Sequence, residues 1–194
     1  DGVPVSAVFG FTQMLIKLLN DYNAPYMAVI FDAAKKNFRN DIYPDYKANR
    51  DDAPEDLVPQ FPLVRDATRA FDIPAIDLKG YEADDLIAAY TKRALALGKK
   101  VVIVSSDKDL MQLVQPGVRM LDPMKNKWVG EDEVFEKFGV PPESIADWLA
   151  LTGDSADGFP GLKGWGAKSS ATVLAHYGSI ENIPHHHGQW EVTV

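Results

Sequence analysis

Three carboxylates stand within four residues at the start of a predicted helix: Glu82, Asp84 and Asp85. A single acid in a first helical turn is ordinary, because it complements the positive end of the helix dipole. Three neighbouring acids repel one another unless a cation lies between them. All of these candidate ligands are oxygens, so the cluster favours Mg²⁺ or Mn²⁺ over zinc.

Other acids follow predicted strands. Asp32 ends the apolar run at residues 26–31, and Asp107 and Asp109 follow the run at residues 101–104. In an open α/β sheet, ligands bind at the carboxyl ends of strands, where these acids are expected to lie. With two acids of a later turn, the candidate metal ligands are Asp32, Glu82, Asp84, Asp85, Asp107, Asp109, Asp154 and Asp157. This is more than one ion needs, so the set predicts two ions, and the usual substrate of a two-ion site is a phosphodiester.

The composition excludes several classes of site. The chain has 194 residues, enough for one domain or for one domain with a small appended module. It contains no cysteine, which excludes disulfides, zinc–thiolate sites and cysteine nucleophiles. No apolar run approaches the ~20 residues of a membrane span, so no membrane partner is predicted. The net charge of −8 argues against a nucleic-acid partner, unless many of the acids surround metal ions.

Apolar periodicity predicts alternating helices and strands, the pattern of an α/β fold. The two runs that end in acids, residues 26–31 and 101–104, are typical of buried parallel strands. The acids at residues 82–85 open a helix that extends to residue 97. The other predicted helices are residues 4–22, 54–71 (with a start broken by prolines), 131–138, 142–151 and 167–177, and the shorter strands are residues 74–78, 118–121 and 127–129.

Residues 33–56 differ in character, because basic residues are interleaved with aromatic ones and apolar periodicity is weak. A solvated charged loop has this composition, and so does a surface that binds a nucleic-acid strand through its phosphates and bases. A long segment of this kind inside a compact domain is more often functional than idle. The candidate DNA-binding side chains here are Arg39, Tyr43 and Tyr46, accompanied by Lys35, Lys36, Phe38, Lys47 and Arg50.

Residues 152–168 form a glycine-rich turn before a predicted helix. Backbone amides at a helix N-terminus accept a phosphate, although a plain helix–helix connector also fits the pattern. The candidate DNA-binding residues of this turn are Gly161, Lys163, Gly164, Gly166 and Lys168. The histidines at residues 185–187 lie in a weakly patterned tail and are assigned no function.

Five segments carry a resemblance to a known family. In chain order they are Phe31-Asp32-Ala33, Tyr46-Lys47-Ala48-Asn49-Arg50, Gly80-Tyr81-Glu82-Ala83-Asp84-Asp85, Ser106-Asp107-Lys108-Asp109-Leu110, and Thr152-Gly153-Asp154 with the turn that runs to Gly166. Together they resemble the flap endonuclease family, in the form of the 5′ nuclease domain of bacterial DNA polymerase I. The resemblance extends over residues 3–183, nearly the whole chain.

The resemblance implies a Rossmann-like, mostly parallel sheet flanked by helices, with a basic helical arch at about residues 33–56. It also implies a helix-hairpin-helix-type module that grips duplex DNA and binds K⁺ at its turn. On this basis residues 1–140 are expected to form the nuclease core, residues 141–184 the DNA-binding module and residues 185–194 a tail.

The resemblance further implies an activity and partners. The eight acids match the metal ligands of the family, which use two Mg²⁺ or Mn²⁺ ions, and Lys47 and Arg50 match basic arch residues near the scissile phosphate. The expected activity is 5′-3′ exonuclease and 5′-flap endonuclease cleavage in primer removal, nick translation and repair. The expected partners are DNA with a flap, nick or 5′ end, RNA primer–DNA, and a covalently linked polymerase domain. The expected state is a monomer in the bacterial cytoplasm, associated with the nucleoid.

Some features depart from the family's pattern. Gly158 stands where Asn is usual, and Trp165 where a small aliphatic residue is usual. The family's domain also opens with a strand ending in a metal-binding Asp, upstream of the position matched by residues 2–5. The chain is therefore expected to be truncated at both ends, and a catalytically impaired, structure-specific DNA-binding fragment is the alternative. A Mg²⁺-dependent phosphatase is a third hypothesis, disfavoured because a small phosphate ester needs neither the basic segment nor the glycine-rich turn.

Overall fold

The computed structural model describes residues 2–194, in which helices and strands alternate. The α-helices are α1 (Ser6–Asp21), α2 (Phe38–Ile42), α3 (Gln60–Ala70), α4 (Ala83–Ala96), α5 (Glu131–Phe138), α6 (Ile145–Thr152) and α7 (Ala167–Tyr177). The strands are β1 (Val29–Ile30), β2 (Ala75–Ile76), β3 (Val101–Val104), β4 (Val118–Asp122) and β5 (Lys127–Val129). Short 3₁₀ helices cover Asp109–Leu113, Pro142–Ser144, Ile180–Asn182 and His187–Gln189. The predicted α/β class is confirmed, and within residues 2–194 no helix combines the length and the apolar character that a membrane crossing requires.

The chain divides into two compact units. The first comprises the residues up to Ile42 together with Arg50–Leu86, and the second comprises Tyr43–Asn49 together with Ile87–Val194. The segment predicted as a helical arch is therefore shared between them. Its short helix α2 belongs to the first unit, and the turns of residues 43–49 belong to the second.

The first unit combines a two-stranded sheet with packed helices α1 and α3. β1 and β2 run parallel, with Val29 opposite Ala75 and Ile30 opposite Ile76. A parallel pair requires a crossover connection, which the chain between the strands supplies with α2 and α3. The pairing brings the chain that follows β1 and the chain that follows β2 to the same end of this sheet.

A buried glutamine joins α1 to α3. Gln60 is 1% exposed, and its side-chain carbonyl accepts hydrogen bonds from the amides of Ala7 and Val8 at 2.7 and 3.2 Å. These amides lie in the first turn of α1, whose N-cap residue Val5 provides no side-chain hydrogen bond. Gln60 therefore satisfies donors that the start of any helix leaves open.

The second unit contains a three-stranded sheet and the larger part of the core. β4 pairs in parallel with β3 and antiparallel with β5. Val118 and Met120 of β4 are each 1% exposed and belong to the same apolar cluster as Val134 and Ile145, which are 0% exposed. This cluster anchors the chain that follows β3, because Leu110 is one of its members.

Helix α5 has defined signals at both ends. The carboxylate of Glu133 accepts a hydrogen bond from the amide of Gly130 at 2.7 Å, which lowers the pKa of Glu133. At the other end Gly139 has a φ of 72°, a left-handed conformation that glycine adopts without steric cost. These signals account for the agreement between the predicted and observed bounds of the helix.

Two strands are less buried than the apolar runs predicted. The run at residues 26–31 forms a strand only at Val29–Ile30, and Tyr26 is 77% exposed. In β3, Ile103 is 5% exposed, whereas Val102 and Val104 are 50% and 38% exposed. A strand has a continuous apolar sequence when other layers of the protein cover both faces of its sheet. In β3 the face that carries Ile103 is covered, whereas the face that carries Val102 and Val104 is open in the described part of the chain.

Candidate functional site

Four of the predicted metal ligands lie in the first unit and are called here the first acidic group: Asp32, Glu82, Asp84 and Asp85. The carboxylate of Asp32, just after β1, accepts a hydrogen bond from the amide of Ala83 at 2.7 Å. Ala83 begins α4, and Asp84 and Asp85 occupy its first turn. Asp32 therefore meets the positive end of the helix that carries Asp84 and Asp85.

Arg39 joins two members of the first acidic group. Its guanidinium donates two hydrogen bonds to Asp85, at 2.8 and 2.6 Å, and lies 3.5 Å from a carboxylate oxygen of Glu82. Asp85 also accepts the amide of Glu82 at 2.9 Å, and Glu82 is only 9% exposed. Arg39, a predicted DNA-binding residue, is thus placed among carboxylates, where it compensates their charge.

Arg65 is a contributor that the sequence did not reveal. Its guanidinium donates to the backbone carbonyl of Asp32 at 2.7 Å and lies 4.7 Å from the ring centre of Phe31. It also pairs with Asp77 at 3.3 Å. These contacts fix the backbone from which the Asp32 carboxylate extends. Arg65 and Asp32 are 33 residues apart, so no local pattern signals the contact.

The other predicted ligands form the second acidic group: Asp107, Asp109, Asp154 and Asp157. Asp107 accepts the amide of Asp109 at 2.9 Å, at the start of a 3₁₀ helix. The ammonium of Lys108 lies 2.9 Å from Asp109 and also donates a hydrogen bond to Asp154. Lys108 was not predicted as a site residue, although its position between two acids in the sequence is a usable signal.

The two carboxylates that share the Lys108 ammonium have pKa values shifted in opposite directions. Burial raises the pKa of Asp109, and the hydrogen bond from Lys108 offsets only part of that effect. Burial acts in the same direction on Asp154, but hydrogen bonds from Lys108 and from the Ala156 amide outweigh it and lower the pKa. Burial opposes the charge of Lys108, yet its hydrogen bonds to Asp154 and Asp109 raise its pKa. Asp154 is therefore the carboxylate whose ionised form the folded unit favours.

Asp157 is contacted by residues 43–49. The amide of Lys47 donates to the carbonyl of Asp157 at 2.9 Å, and the hydroxyl of Tyr46 lies 3.1 Å from its carboxylate. The Lys47 ammonium is 3.9 Å from the same carboxylate, and the backbone of Lys47 is left-handed, with a φ of 54°. The structure thus places one predicted catalytic residue and one predicted DNA-binding residue beside a predicted metal ligand.

Gly158 permits this close packing. Its φ is 72°, and a Cβ at this position would lie 3.0 Å from the carbonyl oxygen of Asp45. Beside it the amide group of Asn49 donates to the carbonyl of Ser155 at 2.7 Å, and the hydroxyl of Tyr43 lies 3.4 Å from the carbonyl of Gly158. The departure from the family's usual Asn therefore falls at a point of backbone contact.

The glycines of the predicted phosphate-binding turn have two different environments. A Cβ on Gly161 would lie 2.3 Å from the backbone nitrogen of Gly153, so this glycine permits two chain segments to cross. Gly153, which belongs to the Thr152-Gly153-Asp154 segment but was not predicted as a site residue, is required for the same crossing. By contrast, a Cβ on Gly164 or Gly166 would meet nothing within 4 Å. Gly166 is the N-cap residue of α7, where no side chain caps the first turn.

Three predicted cations are exposed: Arg50, Lys163 and Lys168. Lys163 and Lys168 belong to the second unit, in and just after the glycine-rich turn. Arg50 belongs to the first unit, whereas the other predicted catalytic residue, Lys47, belongs to the second. Exposure leaves their charges accessible to a polyanion. Each unit thus contains at least one of these exposed cations.

The donor set fits a hard divalent cation. All the candidate ligands offer carboxylate oxygens, and in each group a positive side chain lies among them. Within residues 2–194 no three carboxylate or imidazole groups are close enough to hold an ion as they stand. In each group a basic side chain instead contacts carboxylate oxygens, Arg39 those of Asp85 and Lys108 those of Asp109 and Asp154.

Comparison with known families gives two matches that together span the chain. Residues 1–139 match the family described as 5′-3′ exonuclease, N-terminal resolvase-like domain. Residues 140–193 match the family described as 5′-3′ exonuclease, C-terminal SAM fold.

Individual relatives agree with these matches. A DNA polymerase I of Rhizobium leguminosarum is 52% identical over 190 residues, covering 94% of this chain and 19% of the relative. A 5′-3′ exonuclease of Aquifex aeolicus is 43% identical over 182 residues, covering 94% of this chain and 63% of the relative. The chain thus spans less than two thirds of these relatives. A structure of a bacteriophage T5 flap endonuclease variant with DNA and metal ions has a TM-score of 0.79 at 25% identity, covering 92% of this chain and 69% of that one.

Proposed function

Because the chain belongs to the 5′-3′ exonuclease family, we propose that it hydrolyses DNA phosphodiester bonds as a metal-dependent 5′-3′ exonuclease and 5′-flap endonuclease. The observation that carries the proposal is the arrangement of the carboxylates in two groups, one at the end of β1 and the start of α4 and one at the end of β3 and after α6, each accompanied by a compensating cation. Such an excess of acids is costly for folding alone and suits a site for divalent ions.

We propose that two Mg²⁺ or Mn²⁺ ions bind to the chain. The first acidic group provides ligands for one ion, and the second acidic group provides ligands for the other. When bound, the ions would supply an activated water and would neutralise charge on the reacting phosphate. Arg39 neutralises the ligand Asp85 until an ion takes its place, and the Ala83 amide orients the ligand Asp32. A metal ligand oriented in this way costs less reorganisation when the ion binds.

The basic segment is proposed to meet the DNA strand. Arg50 and Lys47 would stabilise charge on the phosphate to be cleaved, since preorganised cations are worth most where charge develops. Tyr43 and Tyr46 would contact bases or sugars, and Arg39 would contribute positive charge once a metal ion takes over its carboxylate partners. The position of Arg50 at the protein surface supports this role.

Residues 141–184 are proposed as the duplex-binding module. The open space around Gly164 and Gly166 leaves room for a phosphate at the start of α7, with Lys163 and Lys168 beside it. A K⁺ ion is proposed at this turn. Comparing duplex affinity in K⁺ and Na⁺ at equal ionic strength tests that part of the proposal.

The relatives support a proposal for the biological setting. Similarity to the DNA polymerase I of Rhizobium leguminosarum supports the proposal of a covalently linked polymerase domain. Similarity to the T5 complex supports the proposal that the partner is DNA. We propose that the substrates are flaps, nicks and 5′ ends, including RNA primers, processed by a monomer in the bacterial cytoplasm near the nucleoid.

The deciding experiment compares cleavage of a 5′-flap duplex with hydrolysis of p-nitrophenyl phosphate, each with Mg²⁺ and with EDTA. Flap cleavage that requires Mg²⁺, with no hydrolysis of the small ester, is the expected result. Duplex binding without any cleavage would instead indicate an impaired DNA-binding fragment. Hydrolysis of the small ester without flap cleavage would indicate a phosphatase and overturn the proposal.

A further inference from the structure

An open groove lies between the end of α5 and the start of α7, within the second unit. It has a volume of about 480 Å³, and its lining includes Lys137, Phe138, Lys168 and Thr172. Both lysines are exposed, one at each side of an otherwise mostly apolar and small-residue surface. Lys168 was predicted to bind DNA, whereas nothing in the sequence singled out Lys137.

Lys137 has an unusual environment for a surface lysine. Its ammonium lies 5.2 Å from the ring centre of Phe138 and 3.9 Å from the sulfur of Met111. Among residues 2–194, no carboxylate forms an ion pair with it at 4 Å or less. Partial burial, then the nearby charges of Lys125 and Lys108, lower its pKa, and the attraction of Asp109 and Asp107 does not compensate. An added anion would relieve this unfavourable electrostatic situation.

We propose that Lys137 binds a phosphate of the DNA duplex and, with Lys168 across the groove, extends the duplex-binding surface beyond the glycine-rich turn. This proposal rests on the proposed function and adds a residue to it. Charge complementarity identifies the occupant, because two lysines flank a groove that is too open to enclose a small ligand. The contact between Lys137 and Met111, which follows Asp109 by two residues, places this surface beside the chain that carries part of the second acidic group.

The test measures the affinity of the full chain for a blunt DNA duplex in EDTA, over a range of salt concentrations. Lys137→Ala is expected to weaken binding about threefold to tenfold near 0.1 M salt for every sequence tested. It should also reduce the slope of log K against log salt by about one, as expected when one phosphate contact is lost. Lys137→Arg should retain most of the affinity, because it keeps the charge.

Lys100→Ala is the matched control, because Lys100 is an exposed lysine of the same unit that precedes β3. It changes the net charge equally and should leave the salt slope unchanged. Equal affinity and slope for Lys137→Ala and the unmodified chain would overturn the proposal, as would an equal loss in both alanine variants. Thermal melts of each variant check that folding is intact, and Lys137→Gln, which removes the charge but keeps a long side chain, replaces Lys137→Ala with the same expected loss if that variant melts early.

The two proposals fail in different ways. If the unmodified chain neither binds the duplex nor cleaves a flap, the proposed function fails. If it does both, and Lys137→Ala binds as tightly with the same salt slope, only the assignment of Lys137 is wrong.

Discussion

In the first acidic group the compensating cation is the guanidinium of Arg39, whereas in the second it is the ammonium of Lys108. Arg39 bonds both carboxylate oxygens of Asp85 and reaches Glu82, so one planar fork sets the orientation of its partner. Lys108 bridges Asp109 and Asp154 as a point charge on a flexible stem. Both groups thus neutralise clustered carboxylates with one cation, but the guanidinium orients its partner more strictly than the ammonium does.

The difference teaches which group is preorganised. In the first, Asp85 is fixed by the guanidinium and by the Glu82 amide, and Asp32 by the start of α4. In the second, the Ala156 amide also holds Asp154, and the lysine shared with Asp109 has a side chain that is 39% exposed, compared with 31% for Arg39. A divalent ion that displaces the ammonium of Lys108 therefore loses less oriented hydrogen bonding than an ion that displaces the guanidinium of Arg39.

The strongest test of the comparison removes one acid from each group. Asp85→Asn and Asp154→Asn are each expected to reduce flap cleavage by on the order of 10³-fold or more, because ion-mediated charge stabilisation is worth several kcal/mol. Single-turnover cleavage at saturating enzyme measures this, with duplex binding in EDTA as the control. Loss of activity in only one variant would show that only one group serves the ions.

The cations proposed to meet the phosphate give the next largest effect. Arg50→Ala is expected to cost on the order of 10²–10³ in the single-turnover rate, the size seen for removal of one preorganised donor. Lys47→Ala should cost less, because the Lys47 ammonium shares its charge with Asp157 at 3.9 Å. A rate unchanged by Arg50→Ala would remove this residue from the catalytic set.

Arg39→Lys isolates the value of the planar fork. A lysine keeps the charge but cannot donate two parallel hydrogen bonds to Asp85, so the free energy of unfolding should fall by about 1 kcal/mol. Urea unfolding in EDTA measures the change. The control is Arg69→Lys at the exposed pair with Asp66, which should change stability by less than about 0.5 kcal/mol. Equal effects of the two changes would show that the fork contributes nothing special.

The smallest effects concern pH within the second acidic group. The folded pKa of Asp109 is raised, so its ionised form costs stability at neutral pH. Asp109→Asn should therefore be the more stable protein at pH 7 in EDTA, with an advantage that shrinks as the pH falls through the raised pKa.

The ionised carboxylate of Asp154 contributes to stability with the opposite sign, because the pKa of Asp154 is lowered in the folded protein. Its ionised form stabilises the fold above the unfolded pKa, and this contribution is lost as the pH falls through the folded value. Asp154→Asn should be less stable at neutral pH, with a deficit that closes in acid. Parallel pH profiles for the two variants in urea unfolding would contradict the assignment.

Much of the architecture was accessible from local patterns. The bounds of β3, β5, α5 and α7 agree with the runs predicted from periodicity and turn residues, because glycines and caps at their ends act within a few residues. The acids that follow strands were predictable for the same reason. The burial of the strands was not, since exposure depends on which layers cover each face, as the exposed Val102 shows.

The sequence by itself determined which residue types stand at strand ends, in the first turn of α4 and in the glycine-rich turn, because those positions depend on local spacing. Only the tertiary structure decided how their charges are paired. Arg39 meets Asp85, and Lys108 meets Asp154, each across 46 residues of chain. Gly161 faces Gly153 because two segments cross there. Such contacts arise from packing between distant segments, and no pattern within one segment specifies its partner.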